Sequence, residues 1–333
     1  MKNIILIIPL IAFAACAQPE GYRQKEVSKI AFGSCSRQSM VEKQLWKEVI
    51  NETPDLWIWM GDIVYTDTED MDKMKADYDA QKNHPDYQKL IEDIEVVGTW
   101  DDHDYGANDG GKDYPKRDES RELLFDFLVV SEDHPARQRK GAYQAYNYEH
   151  KGNRLKVILL DTRYFRDPLK KEGRNNIPDP TGQILGAEQW KWLEQQLSDS
   201  ETDLFVVVSS IQLLANEHVF EKWGNFPSEK EKFFSLLADK VKVPLVVLSG
   251  DRHIGEISKA EIEGYDYPLY DITSSGLTHT WSKLWKEDNQ YRVLGLVVKP
   301  LFTVMEIDWE QMSLDVQFIG KNNEVFDEMN IEF

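Results

Sequence analysis

The chain has 333 residues and a formal net charge of −20, from 59 acidic against 39 basic side chains. That balance argues against a nucleic-acid binder, which needs a basic footprint on the phosphates, and suits a protein that binds cations or must stay soluble. With 41% hydrophobic and 11% aromatic residues, the composition is that of a globular protein with enough chain for one large domain or two small ones.

Taken in chain order, Lys2, the apolar run Ile4 to Phe13 and the small residues Ala14 and Ala15 before Cys16 read as a targeting segment, too short to span a bilayer. The Ala-Ala-Cys ending resembles a bacterial lipoprotein cleavage box, with Phe13 where leucine is usual. Residues 1–16 are therefore expected to be a lipoprotein signal peptide, with Cys16 the lipidated anchor; plain secretion is the alternative. Residues 17–28 read as a polar tether, and 29–333 as one domain. Cys35 is the other of two cysteines. Without a disulfide partner it is either a buried, inert thiol or a metal-bound thiolate.

Lys29 to Phe32 opens a strand ending in Gly33-Ser34-Cys35-Ser36. The spacing of Leu45, Trp46, Val49 and Ile50 predicts a helix over 40–50. Leu56 to Met60 is a buried strand broken by Gly61-Asp62. Residues 67–93 are acidic and partly helical, expected as an insertion over the site. Arg117 to Val130 is helical. Strands follow at Ala142 to Tyr148 and Leu155 to Leu160, a helix over 186–197 with Trp190, Leu193 and Leu197 inward, and a strand at Leu204 to Val208. A helix over 228–239 has Ser228 as its cap, with Glu231 three residues on, and precedes a strand at Pro244 to Leu248. In the tail, Ile257 to Ile262, Pro268 to Thr273, Thr303 to Trp309 and Leu314 to Ile319 predict antiparallel strands forming a second sheet packed on the first. The β–α alternation predicts an α/β fold.

Three strand ends carry chemistry. Gly61-Asp62-Ile63-Val64-Tyr65 leaves a carboxylate at a sheet rim with no preceding side chain to block close approach, which suits a carboxylate bridging two metals; Tyr65 is spaced to reach the same ion as a phenolate. Alone, these read equally as a turn aspartate and a packed tyrosine. In Trp100-Asp101-Asp102-His103-Asp104, Asp102 is a candidate ligand and His103 a candidate proton donor, while Asp101 and Asp104 are supporting or surface residues. In Ser249-Gly250-Asp251-Arg252-His253, Asp251 and His253 alternate around Arg252 and so point to one side of an extended chain.

The order Gly-Asp, Asp-His, Asp-x-His, each after a strand, resembles the metallophosphoesterase scheme. The departures from it, Ser34-Cys35-Ser36 first, Asp102 for asparagine and Asp251 for the first histidine of the last block, resemble one branch, the PhoD-type alkaline phosphatases and phosphodiesterases. Leu160-Asp161-Thr162-Arg163 and the 186–193 block support the likeness, which runs from about residue 29 to 281. It implies a four-layer α/β/β/α sandwich of two mixed sheets flanked by helices, and hydrolysis of a phosphate ester by a metal-activated hydroxide. It implies Fe(III) held by Cys35, Asp62, Tyr65 and His253, with Ca²⁺ held by Asp62, Asp102, Asp251 and Gln212; a packed strand-end glutamine is an equal reading of Gln212. Thiolate, phenolate and imidazole suit a transition metal, and all-oxygen ligation suits calcium; Mg²⁺ and Zn²⁺ are the alternatives.

Arg37 and Arg163 are candidate phosphate clamps, Arg163 preferred, since a guanidinium forks onto two oxygens. His103 is the expected leaving-group partner. Trp281 and His279 are candidate pocket residues. Larger PhoD-type proteins carry a sandwich domain before the catalytic one; here it is expected to be absent, leaving a site that is more open or covered only by 67–93 and 164–182. Few basic residues lie near the motifs, which leans toward diesters, whereas the resemblance leans toward both ester classes. The whole predicts an exported, membrane-anchored monomer at the periplasm or cell surface, with a phosphate ester as substrate and no nucleic-acid surface. The reading from another class is a non-catalytic surface lipoprotein that binds calcium or a glycan.

Overall fold

A computed structural model describes residues 25–283 and 286–333. The expected signal peptide, the expected anchor at Cys16 and most of the expected tether lie outside the described residues. The first sheet holds β1 (Lys29–Gly33), β2 (Leu56–Met60) and β3 (Glu95–Thr99), all parallel. The second holds β4 (Gln144–His150), β5 (Asn153–Leu159), β8 (Leu204–Val208), β9 (Leu245–Ser249), β10 (Gly255–Ala260), β11 (Leu269–Ser274) and β12 (Arg292–Val297). An exposed hairpin, β6 (Lys170–Glu172) and β7 (Asn175–Ile177), stands apart from both. The chain then returns to the first sheet as β13 (Phe302–Asp308), β14 (Ser313–Ile319) and β15 (Val325–Glu332).

Strands covered on both faces must be apolar throughout, and Leu-Trp-Ile-Trp-Met of β2 is buried at all five positions. Ile58, Met60 and Phe32 meet Val206, Val208 and Leu248 between the sheets. The opposite face of the first sheet carries Trp57 and Trp59. Helices α1 (Trp46–Asn51), α2 (Met71–Lys82), α3 (Pro85–Asp93) and α5 (Arg117–Phe127) cover it, with the short α4 (Asp102–Tyr105) at its rim. Trp46 packs edge-on against both tryptophans at 5.2 Å, and each such buried ring is worth about 3 kcal/mol. Helices α6 (Gly186–Leu197) and α7 (Pro227–Lys240) cover the second sheet through Trp190, Leu193, Phe233 and Leu237. The result is the expected four-layer α/β/β/α sandwich.

Three expectations change. The tail is not a sheet of its own. Its first strands join the second sheet, with β11 parallel to β9; its last three extend the first sheet, with β13 antiparallel to β1. Each half of the tail thereby extends one sheet, covering the exposed side of β9 and of β1. Residues 67–93 are not a lid, because Met74, Tyr78, Tyr87 and Leu90 bury them as the outer helical layer. Helix α7 starts at Pro227, and Ser228 Oγ donates to the Pro180 carbonyl instead of capping: proline at the first helical position supplies the start that the Ser-x-x-Glu pattern suggested.

Candidate metal centre

Strands β1, β2 and β3 of one sheet, and β5, β8, β9 and β11 of the other, run parallel within their sheets. Their carboxyl ends meet at one rim, where open α/β sheets bind ligands. The loops that leave them are in direct contact. Ser36 N donates to the Asp62 carbonyl, and Gly276 N to the Ser34 carbonyl. A Cβ on Gly61 (φ +91°) would lie 2.4 Å from the Asp101 Cβ, and one on Gly250 would lie 2.7 Å from Ser34 Oγ. Both glycines are therefore required by the closeness of these loops.

The loops present three overlapping sets of donors, each with its atoms within 4.8 Å of one another: Cys35, Asp62 and His253; Asp62, Asp102 and His103; and Asp101, Asp102 and Asp251. Asp62 belongs to two sets and Asp102 to two. Asp62 Oδ2 is 3.3 Å from Cys35 Sγ and accepts from Tyr65 Oη at 3.0 Å, while Oδ1 faces the His103 amide at 3.3 Å. His253 Nε2 is 3.3 Å from Tyr65 Oη, and its Nδ1 lies 3.2 Å from the His279 carbonyl. A carbonyl at Nδ1 selects the tautomer with the proton there and leaves Nε2 as a lone-pair donor facing Cys35 and Tyr65. Cys35, Asp62, Asp251 and His253 all have positive φ, 51° to 63°, a costly backbone for non-glycine residues that concentrates at functional sites.

A family model described as PhoD-like phosphatase matches residues 30–274. The chain belongs to the PhoD-like phosphatase family. It is 24% identical to alkaline phosphatase D of Bacillus subtilis (strain 168) over 308 residues, covering 74% of this chain and 51% of that protein, so it spans about half the length of that curated relative. In fold it is similar to a solved structure of PhoD (TM-score 0.74, 15% identity, 94% of this chain and 70% of that one). It is also similar to a dimetal phosphatase from Danio rerio (TM-score 0.59, 12% identity, 92% and 99%).

The residues present fit cations. Asp101 Oδ2, Asp102 Oδ1 and Gln212 Oε1 are buried with no hydrogen-bond partner among the described residues, and orphaned buried oxygens are costly unless something positive meets them. Burial, then Cys35, Asp102 and Asp101, push the Asp62 carboxyl well above the usual carboxylate range. Burial, with Asp101 and Asp102 adding to it, raises Asp251 to about 8. Burial also takes the Cys35 thiol to about 12 and Tyr65 well above the ordinary phenol. Such groups ionise together only with cations between them. Gln212 leaves the end of β8 with Nε2 donating to Glu256 (2.6 Å) and Thr273 (2.8 Å), so its oxygen is the atom left over.

Corrections follow for individual residues. Arg163 is wholly buried and is not a phosphate clamp: its guanidinium forks onto Asp101 Oδ1, with Nε at 2.7 Å, and onto Glu221. Asp101 and Asp104 are not at the surface. Asp101 stands among the candidate ligands, and Asp104 ties two loops together, accepting from Ile63 N at 2.9 Å and Asp101 N at 2.6 Å. Asp251 and His253 do not share one side of an extended chain; the left-handed turn through them sends Asp251 to the carboxylate set and His253 to the thiol set.

Arg37 lies over the Tyr65 ring at 4.4 Å, half-buried, and keeps its guanidinium available at the rim. His103 stacks on the Tyr65 ring with centroids 4.2 Å apart, and its Nδ1 is 2.8 Å from Asp67 Oδ2. Burial works to lower its pKa, but Asp67, Asp102 and Asp62 outweigh it and hold it at about 10. Sequence reasoning missed Asp67 and also Ser275, whose Oγ accepts from His253 N at 2.7 Å and lies 3.0 Å from Cys35 Sγ. Ser275 follows the end of β11, a strand-end signal like the other three.

Proposed function

We propose that this chain is an exported, metal-dependent hydrolase of phosphate esters, anchored by lipid at Cys16. The observation that carries the reading is Asp62, shared between a set with Cys35 and His253 and a set with Asp102 and His103, while Asp102 in turn links to the all-carboxylate set of Asp101, Asp102 and Asp251. One set, Cys35, Asp62, Tyr65 and His253, suits a transition metal such as Fe(III). The other, Asp62, Asp102 and Asp251 with Gln212, suits Ca²⁺ or Mg²⁺. Asp101 is a further oxygen for the second set. Cations held there would supply Lewis acidity for hydrolysis at phosphorus.

The chain's own residues do the rest. Asp62 holds the two sets in register from the strained turn after β2. Arg37 places a guanidinium where equatorial phosphoryl oxygens gather charge. His103 is held protonated with its Nδ1–H on Asp67, so Nε2–H is free to donate to the leaving oxygen. Hydrolysis of monoesters and diesters alike is open to such a site. Of the two classes, the diester has the better fit, since among the described residues at this rim Arg37 is the arginine not committed to carboxylates: Arg163 is paired as described, and Arg252 donates to Glu287 at 2.7 Å.

The test is a leaving-group series on His103→Asn. Turnover of an alkyl ester falls on the order of 10³-fold, whereas that of a 4-nitrophenyl ester, whose leaving group needs little protonation, falls about tenfold or less. Asp67→Asn moves the alkaline limb of the rate profile to lower pH, because the proton on His103 is lost sooner without the carboxylate. Equal losses across the series would remove His103 from the proton-donor role.

A further inference from the structure

Val219, Phe220 and Trp281 are 44, 41 and 48% exposed, and together they make an apolar ledge at the rim. Phe220 and Trp281 stack with centroids 5.9 Å apart and planes 29° from parallel. The ledge is tied to the site. Trp281 N donates to the His253 carbonyl at 3.2 Å, and its ring lies 6.0 Å from the His253 imidazole. Beneath it, the Arg252 guanidinium sits 4.3 Å from the Phe220 ring and is fixed by Glu287. The β6–β7 hairpin holds the other end, with Asn176 N donating to the Val219 carbonyl at 3.1 Å. Among the described residues the large apolar side chains this exposed are otherwise valines, whereas Phe220 and Trp281 are aromatic and joined face to face, and it is a joined apolar patch that signals a binding function.

The position relative to the reacting groups decides what the ledge takes. His103 stacks on Tyr65, whose hydroxyl meets His253. Trp281 adjoins His253, so the ledge reaches the site by the Tyr65 hydroxyl, whereas His103 lies against the face of the Tyr65 ring. In-line displacement sends the leaving oxygen toward His103 and leaves any second ester substituent equatorial, away from it.

Resting on the phosphoesterase reading above, we propose that the Phe220–Trp281 ledge is a specificity subsite for the ester substituent that is retained, and that it selects phosphodiesters whose retained group is aromatic or extended and apolar. No new bond is made there. The ring faces stack with the substituent while the phosphorus–oxygen bond to the leaving group breaks elsewhere.

The experiment uses two diesters with one leaving group, 4-nitrophenyl phenyl phosphate and 4-nitrophenyl methyl phosphate, on the metal-loaded protein. A lost ring-on-ring contact is worth about tenfold. In Trp281→Ala the phenyl-to-methyl ratio of kcat/KM therefore falls about tenfold relative to wild type, chiefly through KM for the phenyl ester, and Trp281→Phe restores most of it. Phe220→Leu lowers the same ratio by a smaller factor. A ratio unchanged in Trp281→Ala, or both esters losing equally, would overturn the subsite while leaving the hydrolase intact. Wild type that hydrolyses 4-nitrophenyl phosphate but neither diester would overturn the subsite alone; wild type that turns over none of the three would overturn the phosphoesterase reading, and the subsite with it.

Discussion

Cys35→Ser loses one transition-metal ion per chain and slows ester turnover on the order of 10³-fold, equivalent to about 4 kcal/mol of transition-state stabilisation. The change is small in volume, and the neighbours of the sulfur, Ser275 Oγ at 3.0 Å and Asp62 Oδ2 at 3.3 Å, are polar atoms that a hydroxyl satisfies. The fold therefore survives, and loss of activity cannot be assigned to unfolding. Burial raises the thiol to about 12 when no cation is near, so a Cys35 that never meets a metal is a protonated, inert packing residue. Elemental analysis beside a turnover assay separates the two roles. A Cys35→Ser protein with its full metal complement and wild-type turnover would leave Cys35 as packing, and would move the transition-metal assignment away from this set of donors.

Arg163→Met destabilises the protein by about 3–5 kcal/mol, read from denaturant unfolding, because it leaves the Asp101 carboxylate unpaired in the interior and removes one of the two arginines at Glu221. Arg163 is fully buried between Asp101 and Glu221, and the Arg166 guanidinium is 2.8 Å from Glu221 but misaligned for a hydrogen bond. Glu221 thus keeps a nearby cation after the substitution, whereas Asp101 does not. Asp101 is already raised to about 7 by burial, against the pull of Arg163. Without that guanidinium it rises further and is lost as a charged neighbour of Asp102 and Asp251. Activity then falls as a consequence of lost stability and of weakened cation binding. A phosphate clamp would behave in the opposite way, with stability unchanged and KM raised.

Much of the fold was legible because buried parallel strands announce themselves. Leu56 to Met60 and Leu204 to Val208 are unbroken apolar runs, and each is a fully buried strand as expected. Strands Arg292–Val297 and Val325–Glu332 were not read: both lie at sheet edges, the first interrupted by Gly295 (φ +92°) and paired through register shifts, the second mixing polar and apolar residues. The tail was misassigned for a reason that local pattern cannot reveal: which sheet a strand joins depends on which edge is open.

At the site, Cys35, Asp62, Tyr65, Asp102, Asp251 and His253 were all drawn from strand-end residues, and the structure gathers them at one rim. Arg163 was misread because Asp-Thr-Arg after a strand says that the arginine is near the site and not what it faces. Its partner Glu221 lies 58 residues away. Asp101 was discounted in favour of its neighbour, since two adjacent aspartates in a sequence cannot both be oriented by spacing alone. The four-residue helix that begins at Asp102 turns both toward the same cluster. Asp67 belongs to a loop whose acidic surroundings gave it no distinguishing mark.

The central claim is that the strand ends of the two sheets hold cations on which phosphate-ester hydrolysis depends. The direct measurement is metal content by elemental analysis taken alongside turnover of bis(4-nitrophenyl) phosphate, before chelation, after chelation and after restoring single ions. The account predicts two bound ions per chain, one a transition metal, with turnover lost on their removal and regained only when both kinds are returned. Turnover that persists undiminished in fully metal-free protein would contradict it.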